Sequence, residues 1–323
     1  MRILVILPTR LGDAVLASGC LAQLLERYPQ ARFTLAASRL AAPLYGALPG
    51  LARIHLMDKR AGGRHWLALW LQTAFTPWSL VVDLRNSALS YLVPTRRRLL
   101  VGRADPARHR VVELADLLGA PPPERLRLWF SAAHHAAAAR LLPAEPDGPV
   151  LAVGPTANWS GKIWPVERFA EAVLALTAPD GPLPGARVAV VAAEHERPLA
   201  NPLLARLPRA RRLDWIGKAP LPVLAAALTR CALYLGNDSG LMHLAAAAGC
   251  PTLGLFGPTN ETRYAPWGPH SAVVRTPQSY QDFVAQPDFD PAADRPYMAG
   301  LEVAPVVAAA GELLQRVEHL RQV

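Results

Sequence analysis

Cysteine is scarce in this chain of 323 residues: there are three, Cys20, Cys231 and Cys250. They are odd in number, far apart and in no C-x-x-C spacing, which argues against a disulfide framework or a thiolate zinc site and fits a reducing cytosol. Charged residues are also few, at 18% against 51% apolar, and that balance excludes wholesale disorder. Long apolar runs are missing. The opening MRILVILP stops at Pro8, Thr9 and Arg10, too short for a signal-peptide core. The uncharged stretch Trp66 to Val82 is interrupted by Gln72, Thr73, Thr76, Pro77 and Ser79, and falls short of the ~20 apolar residues that span a bilayer. It reads as a buried helix followed by a strand, in a protein expected to be cytoplasmic. No G-x-G-x-x-G follows the first strand, which counts against a nicotinamide or flavin enzyme.

The length suits two domains. Short apolar runs alternate with helical patterns throughout. Candidate strands are 2–7, 32–37, 53–57, 80–83 and 99–102, then 150–154, 187–192, 232–236 and 252–256. Leu21, Leu24, Leu25 and Tyr28, or Val166, Phe169, Val173 and Leu176, recur at helical spacing. Strand and helix in alternation predict parallel sheets covered on both faces, an α/β fold. LPAEPDGP at 142–149 is a turn-rich break, so the expected domains are 1–147 and 148–323. Each opens as strand, loop and helix, the plan of two Rossmann-like, doubly wound domains with a cleft at the strands' carboxyl ends. Residues 277–296 read as a surface loop. The final helix, 303–323, has the option of packing back on the N-terminal domain.

Formal charge is +9, and its distribution is uneven. Residues 1–147 hold 19 Lys and Arg against 10 Asp and Glu, whereas 148–323 hold 15 of each. The first half is therefore expected to meet something anionic. Candidates are Arg60, Arg64 and the run Arg96, Arg97 and Arg98.

Three segments could carry chemistry. Thr9-Arg10-Leu11-Gly12-Asp13 follows strand one, with Asp13 expected at the cap of the next helix or aimed into the cleft as a general base. The loop from Pro155 to Pro165 contains Asn158 and Lys162. Lysine is the rarer cation here, three against 31 arginines, so Lys162 could hold a phosphate as a point charge. The loop is not a Walker sequence, because Ile163 stands where Ser or Thr would bind magnesium. Third, Gly236-Asn237-Asp238-Ser239-Gly240-Leu241-Met242-His243 joins a strand to a helix, and its backbone N–H groups with the helix dipole make an anion site. Read by itself, a histidine in the place of His243 is more often a packed core histidine than a ligand.

Together, R-L-G-D at 10–13, K-x-W-P-x-E-x-F at 162–169 and G-N-D-S-G-L-M-H-L-A-A-A at 236–247 followed by P-T-L-G-L-F-G-P-T resemble the heptosyltransferases of glycosyltransferase family 9. The resemblance implies a GT-B fold and an inverting, metal-independent transfer of a heptose or related sugar from an ADP-sugar to a lipopolysaccharide core or similar acidic glycan. It implies Asp13 as the base and Lys162 with the backbone of Ser239, Gly240 and Leu241 as holders of the donor diphosphate. Asp238 and His243 would lie against the donor sugar or its phosphate, with Asn158 in the same donor-binding set. Gly217 and Lys218, in Asp214-Trp215-Ile216-Gly217-Lys218, would border base and ribose. No cofactor and no metal are expected. The partners implied are a nucleotide-sugar donor and an anionic glycolipid acceptor, with peripheral contact at the inner membrane surface. Arg10, Trp159 and Ile163 depart from the family's usual residues and leave the donor sugar and acceptor open.

Other readings compete. Asp288-Phe289-Asp290 is a D-x-D that could hold a divalent cation, though it sits in the Pro-rich loop. The arginine run could bind nucleic acid, but no nucleic-acid motif accompanies it. A nucleotide-sugar binding protein without catalysis, or a GT-B-like epimerase, is the remaining alternative, which a retained Asp13 disfavours.

Overall fold

A computed structural model describes residues 1–58, 61–142, 148–290 and 294–322. These form two compact units, Met1–Ser131 and Ala132–Val323. In the first, β1 (Arg2–Ile6), β2 (Arg32–Ala37), β3 (Leu51–Leu56), β4 (Leu80–Asp83) and β5 (Arg98–Leu100) form a parallel sheet in the order β3-β2-β1-β4-β5. Its helices are α1 (Leu11–Leu16), α2 (Ser18–Arg27), α3 (Arg64–Thr73), α4 (Leu89–Leu92) and α5 (Arg110–Leu118). In the second unit β6 (Val150–Gly154), β7 (Arg187–Val190), β8 (Arg212–Asp214), β9 (Leu233–Asn237), β10 (Thr252–Phe256) and β11 (Ser271–Arg275) run in parallel in the order β11-β10-β9-β6-β7-β8. Helices α6 (Ala132–Leu141), α7 (Val166–Leu176), α8 (Arg197–Arg206), α9 (Leu221–Leu228), α10 (Gly240–Ala247), α11 (Glu261–Tyr264), α12 (Tyr280–Val284) and α13 (Val303–Gln322) complete it.

Both sheets are doubly wound. Strand order reverses between β1 and β4 in one unit and between β6 and β9 in the other, and crevices for ligands open at such switch points, beyond the strands' carboxyl ends. The central strands are mostly apolar because helices cover both faces: β6 and β9 are buried along their whole length. The two strands that the sequence pattern does not announce, β8 and β11, are sheet edges with partly exposed, mixed residues.

The expected division at 147–148 falls beside residues 143–147, which lie outside the described residues. The structure divides ahead of α6 instead, because α6 packs on α9, whose residues Pro222 to Leu228 are all buried. Trp215 Nε1 also donates to the carbonyl of Leu141 at the end of α6 (3.3 Å). The final helix α13 packs within the second unit against α7 and β11. It buries Val306, Ala310, Leu313 and Val317, one helical stripe, in that unit's core.

Two expectations are corrected by side-chain placement. Trp66 to Val82 does contain a helix and a strand, yet α3 is only half buried. Leu69 and Thr73 face the core, whereas Leu67, Leu71 and Phe75 are exposed. The 277–296 segment is more than a solvated loop: α12 supplies Phe283, which is buried, and Phe283 and Phe289 pack edge-on or tilted against Tyr297.

Candidate functional site

At the second unit's switch point a glycine of each central strand faces the other. Gly154 of β6 pairs with Gly236 of β9, and both lack a side chain because the Tyr234 ring fills the space. A Cβ on Gly154 would lie 2.0 Å from the Tyr234 hydroxyl, and one on Gly236 would lie 2.7 Å from it. One residue on, Asn237 is fully buried. Its Oδ1 accepts from the Trp164 N–H (3.1 Å) and its Nδ2 donates to the Pro155 carbonyl (2.9 Å). A single amide thus fastens both ends of the 155–165 loop to the end of β9. Trp164 is anchored further by its Nε1–H, which donates to the Leu301 carbonyl (2.9 Å). At Gly161 a Cβ would meet Tyr297 and Trp159, and Trp159 packs on Phe289 and Tyr297.

This anchoring sets Lys162 above the switch point. Its Nζ stands 3.4 Å from Asp238 Oδ2, and both side chains are about nine-tenths buried. Asp238 ends the turn from β9, and Ser239 is the N-cap of α10, with extended backbone and its Oγ accepting from the Met242 N–H (3.4 Å). The amides of Gly240 and Leu241 head the same turn, where a helix has no carbonyls of its own to bond them. His243 follows one turn in, buried, with its ring 6.5 Å from that of Tyr264. An ammonium, a carboxylate and a helix N-terminus therefore converge in one place. That set can hold an anion with its net positive field while the carboxylate holds the ammonium in position.

The other donor-side candidates share the sheet's carboxyl edge but are not all adjacent. Asn158 is exposed in the loop. Gly217 follows β8, the edge strand, with a left-handed φ of 65°. A Cβ there would lie 2.2 Å from Glu194 Oε2. Arg197 holds this corner, bonding Glu194, Asp214 (3.0 Å) and the Ile216 carbonyl (2.7 Å). The Arg197 guanidinium keeps the Glu194 carboxyl below its ordinary range. Lys218 is exposed beside it.

In the first unit Asp13 is half-exposed in α1, the helix that follows β1. It is not the helix cap: α1 starts at Leu11 with Arg10 as N-cap, so Asp13 lies within the first turn. The correction matters because its carboxylate is not needed to satisfy the cap position. The partner strand of the switch point, β4, ends in Asp83, which is fully buried. Its carboxylate accepts from the backbone N–H groups of Arg85 (2.9 Å) and Ser87 (2.7 Å) and from Ser87 Oγ (2.5 Å). This turn, in which Asn86 takes a left-handed φ of 53°, sets Arg85, Asn86 and Ser87 in the wall of a hollow beside α3 and α4. Sequence reasoning missed it, and the only signal was an Asp closing an apolar strand before Asn and Ser.

The basic candidates have different environments. Arg64 opens α3 and is exposed, as are Arg96 and Arg97. Arg98 is drawn into the structure, donating to the Ser90 carbonyl (2.5 Å) and stacking on Tyr91 at 5.2 Å. Arg60 lies outside the described residues. Asp288 is paired with Arg295, which holds its carboxyl below the ordinary range. Among the described residues no group of three His, Cys, Asp or Glu side chains stands close enough to hold a metal. The three cysteines are free and buried, and burial pushes the Cys20 and Cys231 thiols up to about 12.

Two doubly wound units, each with polar residues at its switch point, are the architecture of the GT-B fold. The family model described as glycosyltransferase family 9 (heptosyltransferase) matches residues 89–293, and the chain belongs to that family. It is 23% identical over 312 residues to lipooligosaccharide heptosyltransferase 2 of Haemophilus influenzae, covering 85% of this chain and 88% of that one. Among solved structures, a family 9 glycosyl transferase from Veillonella parvula DSM 2008 has a TM-score of 0.80 at 20% identity, over 97% of each chain. The E. coli ADP-heptose lps heptosyltransferase II has a TM-score of 0.75 at 21% identity, over 98% of this chain and 100% of that one.

Proposed function

We propose that this glycosyltransferase transfers a heptose or related sugar, with inversion, from an ADP-sugar to an acidic lipopolysaccharide-core acceptor. The observation that carries the reading is the buried Lys162–Asp238 pair beside the N-terminus of α10. The donor diphosphate takes the Lys162 ammonium and the amides of Ser239, Gly240 and Leu241. Asp238 keeps Lys162 oriented and, with His243, borders the donor sugar; Gly217 and Lys218 border the base and ribose. The name of the E. coli relative supports ADP-heptose as the donor.

Asp13 is the base. As the acceptor oxygen attacks the anomeric carbon its proton passes to the Asp13 carboxylate, while the bond from that carbon to the diphosphate oxygen breaks. The charge that grows on the departing diphosphate is met by Lys162 and the backbone donors. Those groups supply what a divalent cation supplies elsewhere, so the transfer runs without metal. Arg64, Arg96 and Arg97 meet the anionic acceptor. The chain works as a cytoplasmic protein at the membrane face that carries the acceptor's lipid.

The test is release of ADP from ADP-heptose with and without an acceptor glycolipid, in excess chelator. Release that needs the acceptor and persists in chelator is the expected result. Release without acceptor contradicts transfer, and activity restored only by magnesium or manganese contradicts metal independence.

A further inference from the structure

The first unit carries a feature that the transfer reaction does not use. On α3 the exposed side chains Leu67 and Leu71 stand one helical turn apart, and exposed Phe75 follows in the turn just past the helix, continuing the spacing of four. They are 57%, 56% and 87% exposed, and on α4 Tyr91 and Leu92 are each 63% exposed. Exposed apolar groups gathered in this way mark an interaction surface. Trp70 Nε1 donates to the Leu92 carbonyl (3.1 Å), which holds the two helices together.

Beneath the stripe lies a hollow of about 870 Å³ walled by Trp66, Leu67, Trp70, Leu89 and Leu92. Its polar wall is the turn from β4, where Arg85 stands with its guanidinium 4.6 Å over the Trp66 ring. Arg85 Nη1 is buried and has no hydrogen-bond partner. A buried guanidinium N–H left unbonded is costly, and burial pulls the Arg85 pKa below its ordinary value. An anion at the hollow would satisfy the donor and offset the desolvation.

The surrounding charge has one sign. Between residues 61 and 104 there are six arginines and a single acid. That acid, Asp83, is fully buried and bonded within its own turn. Aromatic side chains, exposed aliphatic ones and arginine without exposed carboxylate form the combination that seats proteins on anionic lipid.

We infer that the α3–α4 face of the first unit docks on an anionic phospholipid bilayer, with the hollow taking an acyl chain of one lipid and Arg85 bonding its phosphate. The inference rests on the reading that the chain works at a membrane, and it assigns the surface. It is independent of donor and acceptor chemistry, so the test contains neither. An acidic protein partner is the competing occupant, and binding to protein-free vesicles excludes the need for one.

The experiment is co-sedimentation with vesicles of phosphatidylcholine alone and of phosphatidylcholine mixed with phosphatidylglycerol. The protein is expected to bind the mixed vesicles and to leave the neutral ones largely unbound. Leu67→Gln/Leu71→Gln/Phe75→Ser should lower partition at least ~10-fold, and Arg85→Gln about fivefold, with ADP affinity and melting temperature unchanged as the check on folding. Phosphatidylglycerol with brominated chains should quench tryptophan fluorescence, the quenching should fall in Trp66→Phe/Trp70→Phe, and inorganic phosphate should not reproduce it. Failure of the wild type to sediment with mixed vesicles, or partition unaffected by the triple variant, overturns the proposal. Either result leaves the donor-site reading standing, because ADP binding is measured separately.

Discussion

The two switch points of this molecule share a topology and differ in how their polar groups are held. In the second unit almost every side chain at the crevice is buried and bonded: Asn237 fastens the loop on both sides, Asp238 pairs with Lys162, and Ser239 caps α10. In the first unit Asp83 is locked in its turn, but Asp13 is half-exposed, and Arg64 at the start of α3 and Arg96 and Arg97 just ahead of β5 are exposed. A preorganised site suits a ligand of constant shape, whose bound charge gains most from donors that need no rearrangement. An open basic surface suits a large, flexible anionic partner, for which long-range attraction matters more than fit.

The contrast can be broken at several points. The largest effect is expected at Asp13. Asp13→Asn should slow transfer by ~10²–10⁴, the scale of a positioned base, with ADP affinity unchanged. Asp13 is not the cap of α1, and the loss of its first-turn charge should cost about 0.3–1 kcal/mol of stability. Normal turnover in this variant would remove the first unit from the chemistry.

Next comes Lys162→Met, which should reduce turnover ~10²–10³-fold, as for loss of one preorganised donor to a developing anion. It should weaken ADP binding as well, which Asp13→Asn should not. Turnover and ADP affinity both intact would mean that the pair with Asp238 is structural only.

Asn237→Leu tests whether the second unit's order comes from buried bonds. It leaves the Trp164 N–H and the Pro155 carbonyl unmet, a loss of about 3 kcal/mol, seen as a fall of roughly 6–12 °C in melting temperature. No change in melting would show that the loop is held elsewhere.

The smallest effect is ionic. Raising salt should weaken acceptor binding several-fold and ADP binding less, since exposed charges are screened beyond ~8 Å at physiological ionic strength and buried ones are screened less. Equal sensitivity would erase the distinction between the two crevices.

Much of this was legible in the residues. The central strands are apolar on both faces and the turns after β1, β6 and β9 are short and distinctive, so the α/β class and three segments of the site could be read directly. The edge strands of the second unit could not. β8 as Arg-Leu-Asp and β11 as Ser-Ala-Val-Val-Arg are only partly buried and lack the uniform apolar pattern. That residues 132–141 belong with the second unit has no local signal, because the alanines of α6 carry little information until α9 covers them. Asp13 looked like a cap because Asp is a common one, but α1 begins two residues before it.

By itself the sequence determined the strand–helix alternation, the family, and which residues follow each central strand, because burial on both sheet faces and the demands of tight turns act over a few neighbouring positions. Only the tertiary structure decided that Lys162 and Asp238 meet, 76 positions apart. It also decided that Asn237 secures a loop 73 and 82 positions away, and that α3 turns an apolar stripe outward. Those outcomes depend on which strands become neighbours and on what remains to cover each helix face, and no local spacing encodes either.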